Sequence, residues 1–379
     1  MKESWLYKRL GEVASFINGY AFKPEQWTSS GTPIVRIQNL NNPDAPFNYY
    51  DGEVPDKVKI KDGDLLISWS ASLGAYIWQG GDAFLNQHIF KVEFDKLDID
   101  KIYLKYAVIS KLNMMAGLVH GATMKHIVKK DFDNTCIPYP PINEQKDIVR
   151  ELDKISELIS IKKTQLCDLV NLSQCIFFEM FGDLNNTPFT VQTLNDTCEF
   201  IKDGTHQTPT YTDDCVNGVK FLSAKDVVSG YINWLNIKYI PYELHTELYK
   251  RIAPKRGDIL LCKNGTTGIC AIVDTDDVFD IYVSLALLRP KVNCLPEYLH
   301  YAINNPHTKR QFDDSLKGIG VPNLHLGEIK KTKIILPPMA LQQTFAEKIE
   351  VIERQKKYIS SSIQDLEALL ASRMQYWFD

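Results

Sequence analysis

The sequence predicts a mixed α/β, β-rich fold in duplicate, with two related globular domains joined by two long antiparallel coiled-coil helices. Three observations lead to it. A series of short motifs in the first half of the 379 residues recurs in the same order in the second half. Each copy of the series ends in a proline pair. Each proline pair is followed by a stretch whose apolar positions repeat at alternating steps of four and three, the spacing of a coiled-coil seam. The expected boundaries are 1–141 for the first globular domain, 142–182 for the first long helix, 183–338 for the second domain and 339–379 for the second helix.

The repeated series begins with Leu10-Gly11-Glu12-Val13 and Phe16-Ile17-Asn18-Gly19, answered by Leu194-Asn195-Asp196-Thr197 and Phe200-Ile201-Lys202-Asp203-Gly204. The segment from Gly31 to Leu40 then parallels that from Gly218 to Val227. Each reads as a strand that leaves a core and delivers polar side chains at its end. Lys61-Asp62-Gly63-Asp64 and Lys255-Arg256-Gly257-Asp258 each precede an apolar run. Glycine takes positive φ without cost and aspartate bonds its own backbone, so both predict a tight turn feeding a buried strand. Small-residue loops follow at 69–74 and 263–268, and Tyr103-Leu104 and Tyr298-Leu299 begin helical segments. Pro140-Pro141 and Pro337-Pro338 each end a strand and start a helix, because proline is excluded from a helix interior but favoured in its first turn.

The first seam is formed by Ile148, Leu152, Ile155, Ile159, Leu166, Leu169 and Ile176. The second is formed by Phe345, Ile349, Ile352, Ile359, Ile363, Leu366 and Leu370. Neither helix is stable alone in water, so the two are expected to pair with each other. Roughly 35 residues at 1.5 Å each make a rod on the order of 50 Å. Lys162, Lys356 and Arg373 interrupt the seam; they fix register or snorkel to its edge, and snorkelling is preferred.

Composition narrows the function classes. The sequence has 44% hydrophobic and 24% charged residues and no run of eighteen apolar residues, and its start lacks the apolar core of a secretory signal. A cytoplasmic protein without a membrane span is expected. The eight cysteines form no CxxC pair and read as reduced core thiols. The net charge of −4 does not favour nucleic acid, yet residues 101–130 carry six lysines and no acid. That stretch is a nucleic-acid surface or a solubilising face. There is no GxxxxGK[ST], HExxH or GxSxG, and the eight histidines show no ligand spacing, so no catalytic residues and no metal site are assigned.

The doubled order of these motifs resembles the specificity subunits of type I restriction-modification systems, across nearly the whole chain. Gly63-Asp64-Leu65-Leu66, Lys125-His126-Ile127 and Pro140-Pro141-Ile142-Asn143-Glu144-Gln145 carry the likeness. The second copy departs from it, with Leu341 before Gln342 in place of Glu144 before Gln145. The resemblance implies a non-catalytic, DNA-binding subunit whose two target-recognition domains read the halves of a split double-stranded DNA target. It also implies docking of two adenine-methylating modification subunits and of restriction subunits. This chain would bind no cofactor; S-adenosylmethionine, ATP and Mg would sit on those partners. Self-association when the partners are absent is a further expectation.

In the family the reading residues change with the target, so candidates come from the residues themselves, as polar groups on loops after buried strands. In the first domain these are Gln38, Asn39, Ser68, Ser70, Ser72, Asn86, Gln87 and His88. In the second they are His206, Gln207, Lys225, Lys263, Asn264, Thr266 and Thr267. Amides bond an adenine edge bidentately, although the same residues also suit ordinary polar turns. Phosphate contacts are expected from Thr123, Lys125, His126, Lys129, Lys130, Asn323 and His325. Because the loops of the halves differ, the target should be bipartite and asymmetric. Two other readings stand beside this one: a non-DNA-binding assembly scaffold, separated by the lack of a positive stripe, and a solitary enzyme, which would need convergent titratable groups in a pocket.

Overall fold

Each half of the chain builds a related pair of sheets. The structure, a computed structural model, describes residues 5–42, 44–118, 127–228, 230–316 and 323–379, with the side chains of 113–118 and 228 excepted. It divides into two units: Met1–Lys163 with Ser361–Asp379, and Thr164–Ser360.

In the first unit a four-stranded antiparallel sheet runs Ser15–Asn18, Ile89–Glu93, Leu65–Ser68, Gly74–Ile77. A second sheet runs Asn48–Tyr50, Thr32–Val35, Ala83–Leu85, Lys59–Ile60, with its two central strands parallel. The second unit repeats the four-stranded antiparallel sheet with Cys198–Asp203, Leu285–Pro290, Ile259–Cys262, Cys270–Ile272 and has a three-stranded counterpart of the other, Lys238–Ile240, Val219–Leu222, Phe279–Ile281. Val219–Leu222 and Phe279–Ile281 are again parallel, like Thr32–Val35 and Ala83–Leu85. Leu65, Leu66 and Ile67, like Ile259, Leu260 and Leu261, are fully buried, because apolar side chains on both faces of these strands meet a core.

The glycine turns form as the sequence predicts. Gly63 and Gly257 both have φ of +87°, and Asp64 and Asp258 accept from the backbone N–H of Lys61 and Lys255 at 3.0 and 2.8 Å. The tyrosines of the two Tyr-Leu pairs are buried anchors: Tyr103 Oη donates to Pro138 O at 2.9 Å, and Tyr298 Oη to Ile335 O at 2.6 Å.

The two long helices, Ile142–Phe181 and Met339–Phe378, are 40 residues each. Both enter through the same lock. Gln145 is fully buried, donates to Pro140 O at 2.8 Å and accepts from Asp100 N–H at 2.9 Å. Gln342 does the same with Pro337 O and Leu295 N–H, at 2.9 and 2.8 Å. Glu144 accepts from Trp5 Nε1–H at 2.9 Å, whereas Leu341 packs on the core of the second unit, so the missing glutamate is replaced by apolar contact.

Within each unit the helix segments pair antiparallel. In the first, Ile148 and Leu152 share a core with Leu370, Met374 and Phe378. In the second, Leu169, Ile176 and Phe177 share one with Phe345, Ile349 and Ile352. Ile155, Ile159 and Ile363 are buried, and Leu166, Ile359 and Leu366 are half-buried. Phe177, beside the expected Ile176, is the buried residue of that turn, at 4% exposure. Arg373 corrects the snorkelling expectation: it holds Glu151 through both Nε and Nη2, the latter at 3.1 Å, and Trp377 Nε1 adds a bond at 3.1 Å. The Arg373 hydrogen bonds hold the Glu151 carboxyl below its usual range. The thiols also differ from expectation. Cys198, Cys262, Cys270 and Cys294 are core residues, but Cys136, Cys167, Cys175 and Cys215 are exposed; all are unpaired.

Candidate nucleic-acid interface

At one end of each four-stranded sheet, three segments meet in a rim set by the same backbone hydrogen bonds. In the first unit Gly19 N–H bonds Ile89 O, Tyr20 N–H bonds Leu85 O, Gln87 N–H bonds Tyr20 O, Trp69 N–H bonds His88 O and Ile127 N–H bonds Trp69 O, all at 2.8–3.2 Å. In the second, Gly204 bonds Leu285, Thr205 bonds Ile281, Val283 bonds Thr205, Lys263 bonds Ser284 and Leu324 bonds Lys263, also at 2.8–3.2 Å. These bonds equate Asn18 with Asp203, Tyr20 with Thr205, Trp69 with Lys263, Asn86 with Tyr282, Gln87 with Val283 and His88 with Ser284. The glycines are obligatory. A Cβ on Gly19 would strike the carbonyl oxygen of Asn86, and one on Gly204 that of Ile281.

On this frame the side chains differ. The first rim is neutral and aromatic: Trp69 stacks on Phe90 with ring centroids 5.5 Å apart, meets His88 edge-on at 5.0 Å, and donates from Nε1 to Asn18 Oδ1 at 3.3 Å. His88 has φ of +72°, a backbone state that histidine tolerates better than most residues. Asn86, Gln87 and His88 are each half-buried.

The second rim is ionic. Asp203, 8% exposed, receives Lys263 Nζ at 3.1 Å, Arg251 Nη2 at 3.0 Å and His206 Nε2 at 3.1 Å. Burial pushes the Asp203 carboxyl up, but the hydrogen bond and charge of Lys263, with the charges of His206 and Arg251, outweigh it and hold it below the usual range. Lys263 is 7% exposed, while Arg251 and His206 are 51% and 64% exposed.

Some expected readers reach the surface and some do not. Gln38, Ser72, His206, Gln207, Lys225 and Thr266 are exposed, and Asn264 is half-buried, bridged to Asn323. Asn39, Ser68, Ser70, Lys263 and Thr267 are buried, which corrects their placement among surface readers. Asn39 caps a short helix, accepting from Arg36 N–H at 3.1 Å and donating to Ala45 O at 3.1 Å. Ser68 donates to Ser72 O, and Lys263 is consumed by Asp203. The polar atoms of Asn39, Ser68 and Lys263 are satisfied inside the domain because leaving them unpaired at such depth would be costly.

Of the phosphate candidates, Thr123, Lys125 and His126 lie outside the described residues. Lys129, Lys130, Asn323 and His325 are exposed, with Lys129 paired to Asp133 at 2.9 Å. The lysine run 101–130 is partly spent internally: Lys101 bonds Gly63 O at 2.7 Å, and Lys111 bonds Phe378 O and the Asp379 carboxylate at 2.6 and 3.2 Å.

Asn18, Asp203 and Arg251 were missed from sequence. The aligned Asn18-Gly19 and Asp203-Gly204 carried the signal for the first two, while nothing local marks Arg251. Among the described residues no group of three or more His, Cys, Asp or Glu could hold a metal, and no helix is long and apolar enough to cross a membrane. The rims are suited to hydrogen bonding and stacking.

Known proteins agree with this architecture. A model of the type I restriction modification DNA specificity domain matches residues 2–171 and again 186–368. The chain is 23% identical over 376 residues to the type I restriction enzyme EcoBI specificity subunit of Escherichia coli, covering 92% of this chain and 79% of that protein. It is 24% identical over 372 residues to the type I restriction enzyme MjaVIII specificity subunit of Methanocaldococcus jannaschii, covering 93% and 86%. Among solved structures, the type I restriction-modification system S subunit from M. genitalium has a TM-score of 0.54 at 15% identity, covering 99% of this chain and 96% of that one. A chain from work on complex assembly and conformational transition of the type I R-M system has 0.55 at 17%, covering 98% and 96%. The two structures bear on the fold alone, and they share it. With one family model matching each half in turn, the chain belongs to the type I restriction-modification DNA specificity family, as a non-catalytic specificity subunit.

Proposed function

We propose that this chain reads a bipartite, asymmetric double-stranded DNA target, one half-site per unit, and docks the subunits that act on it. The observation that supports this most strongly is the pair of rims, which hold equivalent positions with one backbone frame and fill them with unlike side chains. Asn86 and Gln87 offer amides suited to an adenine edge, whereas the second rim carries surplus cationic donors suited to acceptor-rich edges. Unlike readers imply unlike half-sites, and hence no palindrome.

Each long helix contributes turns to both units, and 40 residues at 1.5 Å make a stiff element of about 60 Å. In this reading the helix pair sets the unread gap between half-sites on a duplex that repeats about every 34 Å. Leu158, Ile161, Leu172, Phe178, Val351 and Tyr358 stay exposed on the helices and would receive two modification subunits, with restriction subunits joining the assembly. The same residues would drive self-association when partners are absent. S-adenosylmethionine, ATP and Mg belong on the partners, and the complex works in the cytoplasm.

Mapping methylated adenines in host DNA with the system expressed tests the proposal. A split motif with unequal halves is expected, and a single short continuous motif would defeat it.

A further inference from the structure

We propose that Arg251 is a guanine-reading residue of the second unit, delivered to the rim by a helix without a counterpart in the described first unit and held in orientation by Asp203. This deepens the DNA-reading proposal and rests on it.

Helix Tyr242–Arg251 lies between strands Lys238–Ile240 and Ile259–Cys262. At the corresponding place the first unit has the three-residue turn Asp56–Val58 and the strand Lys59–Ile60. The added helix is tied to the sheet by a buried pair, His245 Nδ1 to Asp280 Oδ2 at 2.7 Å. Through the shared parallel register Asp280 stands where the first unit has Phe84, which packs among Phe22, Ile34, Val54 and Val58. A buried carboxylate–imidazole pair is a poorer stabiliser than such an apolar cluster. What the pair adds is direction, fixing the helix whose last residue is Arg251.

Arg251 is then clamped. Nη2 donates to Asp203 Oδ1 at 3.0 Å, Nη1 donates to Gly204 O at 3.4 Å, and Lys202 Nζ donates to the Arg251 carbonyl at 3.5 Å. Asp203 does not need this guanidinium for neutralisation, because Lys263, itself buried, already sits at 3.1 Å. Arg251 is therefore surplus positive charge, half in solvent, on a fork whose orientation is set in advance. Among the described residues two of its five N–H donors are used, which leaves three for a ligand. A preorganised fork loses little freedom on binding, and guanine O6 and N7 form the acceptor pair that matches it in the major groove.

The test uses the full-length chain in complex with its modification subunits and a randomised double-stranded DNA library. The parent should select a split motif containing a G·C pair in one half. In Arg251→Ala the preference at that pair should fall about 10-fold or more, with the other half-site unchanged. Arg251→Lys keeps the charge and a partner for Asp203, so it should fold and still lose the preference; it carries the test if the alanine variant does not fold. An unaltered motif in either folded variant overturns the assignment. So does uniform weakening for all sequences with a shallower salt dependence, which marks a phosphate contact. A parent that selects no split motif instead defeats the DNA-reading proposal itself.

Discussion

The first rim places Trp69, Asn18 and His88 where the second places Lys263, Asp203 and Ser284, on backbone bonds that run in the same order. The difference separates two tasks that a recognition domain must perform. Holding three segments together is done by main chain and by one glycine per unit, so it survives wholesale replacement of side chains. Meeting a ligand is done by the residues that the frame presents, and these satisfy their own burial in opposite ways. The first rim packs a half-buried indole against Phe90 and ties its Nε1–H to Asn18. The second buries a lysine and a carboxylate, which need each other.

The shared frame is broken most severely at its glycines. Alanine at Gly19 or at Gly204 drives a Cβ into a backbone carbonyl oxygen that has no rotamer to yield with. Each variant should lose about 3 kcal/mol, read as a drop in the unfolding midpoint of the unit concerned. A large loss in one unit with none in the other would mean that the equivalence of the rims is superficial.

The next effect separates the units. His245→Ala leaves the buried Asp280 carboxyl without the one hydrogen-bond partner it has among the described residues and should cost about 2 kcal/mol in denaturant unfolding. Burial already pushes the Asp280 carboxyl up, so protonation limits the loss. Replacing both residues by leucine, the apolar solution that the first unit adopts around Phe84, should recover that loss. A double variant no better than the single one would show that the second unit cannot accept the other's packing.

A smaller, pH-dependent effect follows from Asp203. Its carboxyl lies below the ordinary value of 3.8, so the folded state holds that proton less tightly than the unfolded chain. The ion pairs contribute fully above pH 3.8 and drain away as pH falls through the depressed value. Asn18 does not titrate. Hydrogen-exchange protection at the Thr205 amide should therefore fall on acidification before that at Tyr20, and Asp203→Asn should remove the difference. Equal acid sensitivity in the parent would sink this account.

The duplication was legible in the sequence because it is carried by local signals: glycine turns at Gly63 and Gly257, proline pairs before the helices, and seams spaced by three and four. The lock glutamines lay inside a recognised motif, although their reach to Asp100 and Leu295 was not readable. The rims were only half legible. Asn86, Gln87 and His88 stand out in the sequence as polar residues, whereas their equivalents Tyr282, Val283 and Ser284 do not, because the equivalence lives in hydrogen bonds between distant strands. Asn39 and Lys263 failed as surface readers for a related reason. A polar residue after a strand looks the same whether it faces solvent or satisfies a cap or a buried charge.

The smallest expected effect concerns how each unit holds the DNA backbone. Aligned through Ile127 and Leu324, the helix Lys129–Asp133 presents Lys129 and Lys130 where Leu326–Lys331 has Leu326 and Gly327. The second helix carries its lysines, Lys330 and Lys331, in its last turn instead. Lys130 is exposed and Lys129 is already paired with Asp133, so the two should not be equal. Lys130→Ala should lower the slope of log affinity against log salt by about one, weaken binding to all sequences alike, and change stability by no more than about 0.5 kcal/mol. Lys129→Ala should lower the slope by less, since the Lys129 charge is already balanced by Asp133 at 2.9 Å. Equal slopes for Lys130→Ala and the parent in a salt titration would place the phosphate grip of the first unit elsewhere, and would leave the two helices different in charge but alike in function.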